Sequence, residues 1–228
     1  MLSLKEEKEK LWRAAYFPIM FIILIWTLYL LKVLDVLNID DFGVYPRTLK
    51  GLRGILFTPL IHDDFSHIFN NSVPLFILGT GLFYFYSDLA PRIIFWIWVI
   101  SGAGIWLIGR EAYHIGASGV VYGLATFLFF SGIFRNIVRL IAMALLVIFL
   151  YGSLIWGIFP IRMDTSWEGH LFGAITGLFF AWYYLHEGPQ PERPVWLDEP
   201  EDDDDEPFDE QDFVDDDDST PPHKRADE

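Results

Sequence analysis

The sequence predicts an all-α, polytopic membrane protein in which six transmembrane helices are followed by a disordered acidic tail. Three observations lead there. Hydrophobic residues fill 53% of the 228 positions and aromatic residues 18%, more than a soluble domain usually carries. They fall into long runs, and a run of about 20 apolar residues crosses the hydrocarbon of a bilayer as a helix. Charge is also segregated. The formal net charge is -15, yet 19 acidic and 3 basic residues lie from Glu187 onward, leaving 12 acidic and 13 basic residues in positions 1–186. The membrane part is therefore nearly neutral. Cysteine is absent, which excludes a disulfide framework, a thiolate nucleophile and a cysteine metal site. No nucleic-acid partner is expected of so acidic a chain.

Residues 1–13 form an N-terminal segment mixing Lys5, Lys8, Lys10 and Arg13 with Glu6, Glu7 and Glu9. No small-residue cleavage site follows the first apolar run, so it is expected to remain as a helix over 14–34. Lys32 sits where it can snorkel to the interface. The connection 35–65 holds Pro46, Pro59, Arg47, Lys50 and Arg53, but also Leu49, Leu52, Ile55, Leu56, Phe57, Leu60 and Ile61. So many apolar side chains predict an interfacial structure lying partly among lipid headgroups.

The second span, 66–86, opens with His67 and Asn71, four residues apart and so on one helix face. The third, 92–108, follows Pro91. A short loop with Arg110, Glu111 and His114 leads to the fourth, 115–134. Arg135 to Arg139 connect it to the fifth, 140–159, and Pro160 to Ser166 connect that to the sixth, 167–186. Segment 187–228 sets seven prolines among Asp202 to Asp205 and Asp215 to Asp218. It cannot bury a core and is expected to be disordered, and its aspartates lack the spacing of a calcium loop.

Six spans put both termini on one side. With that side cytoplasmic, the inner face holds Lys5, Lys8, Lys10, Arg13, Arg92, Arg135, Arg139 and Arg193, against Arg47, Lys50, Arg53, Arg110 and Arg162 outside. The excess of inner positive charge favours this orientation. Spans two, four and six then start at the outer face, and His67, Asn71, Ser118 and His170 all lie in their first turns. Four reactive polar groups converge at one depth.

A serine hydroxyl becomes a useful nucleophile when a neighbouring base takes its proton. His170 can do this for Ser118 if the fourth and sixth helices touch, and small residues permit such contact: Gly116, Gly119 and Gly123 on one, Gly173 and Gly177 on the other. Tyr122, one turn beyond Ser118, can stack on the His170 ring. Asn71, His67 and the Ser118 backbone N–H can donate to a developing oxyanion. The one acidic residue beside His170 is Glu168, near the interface, so a dyad is expected instead of a triad. His62 and His114 are assigned to loop structure. His62, Asp63, Asp64 and His67 are read as an interfacial polar loop and not as a metal site, and no cofactor is expected.

On these residues the sequence resembles the rhomboid intramembrane serine proteases, in their prokaryotic six-helix form. His67-Ile68-Phe69-Asn70-Asn71 matches the family's His-x-x-x-Asn, Gly116-Ala117-Ser118-Gly119 its Gly-x-Ser-Gly, and His170-Leu171-Phe172-Gly173 its histidine-helix motif. The resemblance covers about residues 14–186. It implies Ser118 as nucleophile, His170 as general base, His67, Asn71 and the Ser118 amide as oxyanion donors, and Tyr122 as the histidine-stacking ring. Tyr45-Pro46-Arg47 departs from the Trp-Arg pair of some members.

The expected activity is endoproteolysis of transmembrane segments through an acyl-enzyme, at a site opening toward the outer face of a prokaryotic inner membrane. The expected partners are transmembrane protein substrates and the lipid bilayer. The alternative expectation is a noncatalytic rhomboid-like protein that binds membrane clients.

Overall fold

A computed structural model of the chain describes residues 3–151, 156–161 and 165–190. It is an all-α, multi-pass membrane protein. Among the described residues four helices are long and apolar enough to cross a bilayer: α1 (Leu4–Val33), α4 (Phe65–Phe85), α5 (Ala90–Ile108) and α6 (Ser118–Arg135). Two shorter ones, α7 (Val138–Tyr151) and α8 (Trp167–Tyr183), have 14 and 17 residues. In the first connection lie two single-turn helices, α2 (Leu49–Leu52) and α3 (Gly54–Phe57). The chain divides after Pro191. Of the tail expected to be disordered over 187–228, residues 191–228 fall outside the described residues, while the Glu187 and Pro189 carbonyls accept from Arg135.

Helix α1 begins ten residues before its expected start. Ser3 caps it by accepting from the Glu6 N–H, while the Glu6 carboxylate accepts from the Ser3 N–H at 2.7 Å. This reciprocal capping box starts a helix in a charged segment that carries no hydropathy signal. At about 1.5 Å per residue, its 30 residues reach beyond a hydrocarbon core about 30 Å thick. It lies along α4, where the Trp26 indole N–H donates to Ser72 Oγ at 3.0 Å and Pro18 fits against Gly79.

The first connection is fastened to α5 through indole N–H groups. Trp98 donates to the Ile55 carbonyl at 3.0 Å and Trp106 to the Thr48 carbonyl at 2.8 Å. Val44 and His114 form an antiparallel bridge, and Thr58 Oγ1 links both backbones, accepting from Val44 N–H and donating to the His114 carbonyl, each at 3.0 Å. Lys32, at the end of α1, reaches Asp40 at 2.6 Å and Asp63 at 3.3 Å. The connection is thus a folded plate, whose Leu49 is nevertheless 87% exposed.

His62 is buried in this plate, and neither ring nitrogen makes a well-formed hydrogen bond. Burial, aided by the neighbouring His67 ring, pushes its pKa down from 6.5 to about 3. Below pH 6.5 the unfolded chain therefore binds a proton that the folded chain refuses, so stability falls as pH drops from 6.5 toward 3. The slope is about 1.4 kcal/mol per pH unit for this one group. Denaturant unfolding in detergent at stepped pH should show that loss, and His62→Gln should flatten it; an unchanged slope would refute the assignment.

Helix α6 is the centre of the bundle. It packs most extensively on α8 and also contacts α4, α5 and α7. It ends at Asn136 in the left-handed conformation (φ 48°), which an asparagine cap tolerates. Buried Arg135 closes the far end of α8 by donating to the carbonyls of Tyr184 (2.5 Å), Glu187 (2.7 Å) and Pro189 (3.1 Å), and to Ser131 Oγ.

Candidate active site

Three helix starts build the site. Asp64 caps α4 by accepting from the His67 N–H at 2.9 Å, which sets His67 in the first turn. Helix α6 starts at Ser118 and not at 115, because Gly116 takes a positive φ of 101°. That conformation strains any residue with a Cβ. Its N–H donates to the Thr58 carbonyl at 2.9 Å, and a side chain at this position would collide with the His67 imidazole. Gly116 was expected to pack helices; it lies instead in the turn ahead of α6 and makes room for His67.

The other four glycines line a seam where α6 and α8 meet backbone to backbone. A Cβ on Gly173 would strike the Gly119 carbonyl, and one on Gly177 the Gly123 carbonyl. The seam brings His170, in the first turn of α8, to Ser118: Nε2 lies 2.8 Å from Oγ. His170 Nδ1 lies 2.9 Å from the Gly157 carbonyl oxygen. A carbonyl can only accept, so the proton of a neutral imidazole sits on Nδ1. Nε2 then has a free lone pair facing the Ser118 hydroxyl. The Tyr122 ring lies parallel to the imidazole, with centroids 4.1 Å apart and planes 5° apart. A side chain at Gly157 would hit the Tyr122 hydroxyl, so a glycine suits that position.

The structure thus brings together Ser118, His170, Tyr122 and, through Gly116, His67. Asn71 is buried one turn into α4, but its amide donates to the His67 carbonyl of its own helix at 3.1 Å. The Gly157 carbonyl was not foreseen, since every residue carries one and no sequence pattern marks it.

A second buried polar group adjoins the first turn of α8. Glu168, expected near the interface, is 1% exposed; its Oε1 accepts the Arg110 backbone N–H at 3.2 Å, and among the described residues Oε2 has no partner. His114 Nε2 donates to the Arg110 carbonyl at 3.0 Å, so the Ser166 hydroxyl donates to Nδ1 at 2.6 Å. Burial pushes the His114 pKa below its ordinary value, against the opposing pull of the Arg110 carbonyl and Glu168. The Arg110 guanidinium donates to the Thr165 carbonyl. These bonds tie the α5–α6 loop to the start of α8. Between them and Ser118 opens a small cavity lined in part by Thr58, Ser101 and Ser166.

A Rhomboid domain model matches residues 50–187, well over half of the chain and all of these helix starts. The chain belongs to the rhomboid family. It is 36% identical over 180 residues to the uncharacterized protein Rv1337 of Mycobacterium tuberculosis, covering 72% of each chain, and 33% identical over 181 residues to ML1171 of Mycobacterium leprae, covering 72% of this chain and 68% of that one. YdcA of Bacillus subtilis, provisionally named a rhomboid protease, shares 28% over 146 residues, 55% of this chain and 64% of that one. These relatives are bacterial, which fits a multi-pass protein of the bacterial inner membrane. Rhomboid membership supports intramembrane proteolysis as the general class of activity.

Proposed function

We propose that this rhomboid is a serine endopeptidase that cuts transmembrane segments of membrane proteins, with Ser118 as nucleophile and His170 as general base. The observation that carries this reading is the 2.8 Å contact between Ser118 Oγ and a His170 Nε2 whose lone pair is set free by the Nδ1 bond to Gly157. As Ser118 Oγ bonds to the scissile carbonyl carbon, its proton passes to Nε2. The oxyanion develops toward the Ser118 N–H, His67 and, after its amide leaves the His67 carbonyl, Asn71. Each such donor is worth about 3 kcal/mol of barrier. The C–N bond then breaks, the amine leaves with the proton from Nε2, and water repeats the sequence on the acyl-enzyme.

In the same reading α7 and α8 complete six spans, both termini are cytoplasmic, the first connection rests among lipid headgroups, and the site opens toward the outer face. A fluorophosphonate probe should label the purified protein, and peptide mass spectrometry should assign the adduct to Ser118. Absence of any adduct at Ser118 would refute the protease and leave a membrane-client binder.

A further inference from the structure

We propose that Glu168 is a positioning residue for His170, its buried carboxylate supplying the negative charge that steadies the imidazolium formed when Ser118 gives up its proton. This rests on the protease reading above. A carboxylate taken out of water is costly unless something in the fold uses or compensates it. Glu168 is 1% exposed, yet among the described residues one oxygen is matched only by the Arg110 backbone N–H and the other by nothing. Among the described residues it forms no ion pair, and the guanidinium of Arg110 donates to the Thr165 carbonyl. Glu168 sits in the first turn of α8, where the partial positive charge of a helix start favours an anion.

What feels that charge is imidazole. Glu168 lies two residues before His170 in the same turn, and it interacts electrostatically with both His170 and His114. The groups around the pair are Arg110 and His114 from the α5–α6 loop, Ser118 and Tyr122 from α6, and His67 from α4. Among the described residues no other carboxylate belongs to this group. The action is through space, since His170 Nδ1 already donates to Gly157. No proton reaches Glu168: it moves from Ser118 Oγ to Nε2 and then to the leaving amine. The plainer role, a first-turn acceptor for a loop N–H, would be filled equally well by glutamine.

That difference is the test. The rate of Ser118 labelling by a fluorophosphonate is measured on full-length wild type, Glu168→Gln and Glu168→Asp from about pH 5 to 9, which brackets the titration of a histidine base. Glutamine should slow labelling about tenfold on the plateau and move the acid limb to lower pH, because an imidazole without the adjacent charge is harder to protonate and a weaker base. Aspartate should keep the limb where wild type has it. A glutamine profile superimposed on wild type would overturn the proposal while leaving the protease intact. If glutamine prevents folding, the aspartate profile decides: a displaced limb overturns the proposal, and an undisplaced one supports it. A wild-type protein that takes no label at Ser118 sinks the protease reading instead.

Discussion

Alanine at Ser118, at His170, or at both is expected to bring cleavage of a transmembrane reporter substrate to one common floor, about four to six orders of magnitude below wild-type kcat. In the proposed mechanism the two side chains act on a single proton. Without His170, the Ser118 hydroxyl has no acceptor at 2.8 Å and attacks as a neutral alcohol; without Ser118, His170 has no proton to take. Removing the second partner after the first removes nothing further, so the double variant should match the singles. What remains at the floor is binding and oxyanion stabilisation by the α4 and α6 donors. Ser118→Ala loses only an oxygen, so thermal unfolding in detergent should change little; His170→Ala empties the space of a buried ring held between the Gly157 carbonyl and Tyr122, so it should unfold at a lower temperature. A double variant much slower than either single would mean that the residues act independently, and the shared-proton account would fail.

The side chains gathered here were legible because chemistry restricts a nucleophile and its base to few residue types: a hydroxyl, an imidazole and an amide at three helix starts have few other reasons to coincide. Backbone participants were not legible. The Gly157 carbonyl that fixes the His170 tautomer could come from any residue. Asn71 illustrates a different loss, since a side-chain amide in a helix finds a carbonyl four residues earlier without help from the fold, and here it does so. Helix boundaries failed where hydropathy is silent. The capping box at Ser3 and Glu6 extends α1 through charged residues, and the positive φ of Gly116 delays α6 to Ser118. Glu168 was assigned to the interface by its charge, but its burial depends on an N–H from a loop 58 positions away.

Enlarging Gly173 is expected to do more damage than enlarging Gly119 across the seam. A Cβ there points at the Gly119 carbonyl, with its carbon at 3.0 Å and Gly123 N at 3.3 Å, so everything it meets is backbone. Backbone inside a helix cannot rotate out of the way, and α6 and α8 must separate. Overpacking of this kind costs about 1–3 kcal/mol. The functional loss should be larger still, because His170 lies one turn before Gly173 on the same face and its bond to Ser118 spans the same gap; a displacement of about 1 Å costs on the order of 100-fold in rate. Gly119 provides the contrast. A Cβ there meets the Gly169 carbonyl and Ser101 Oγ, both at 3.2 Å, and the serine can turn aside. Gly173→Ala should thus lower both the stability in denaturant titration and the Ser118 labelling rate, whereas Gly119→Ala should cost less stability. If Gly173→Ala folds and labels like wild type, the helices have freedom to part without moving His170, and direct backbone contact is not what holds the imidazole against the serine.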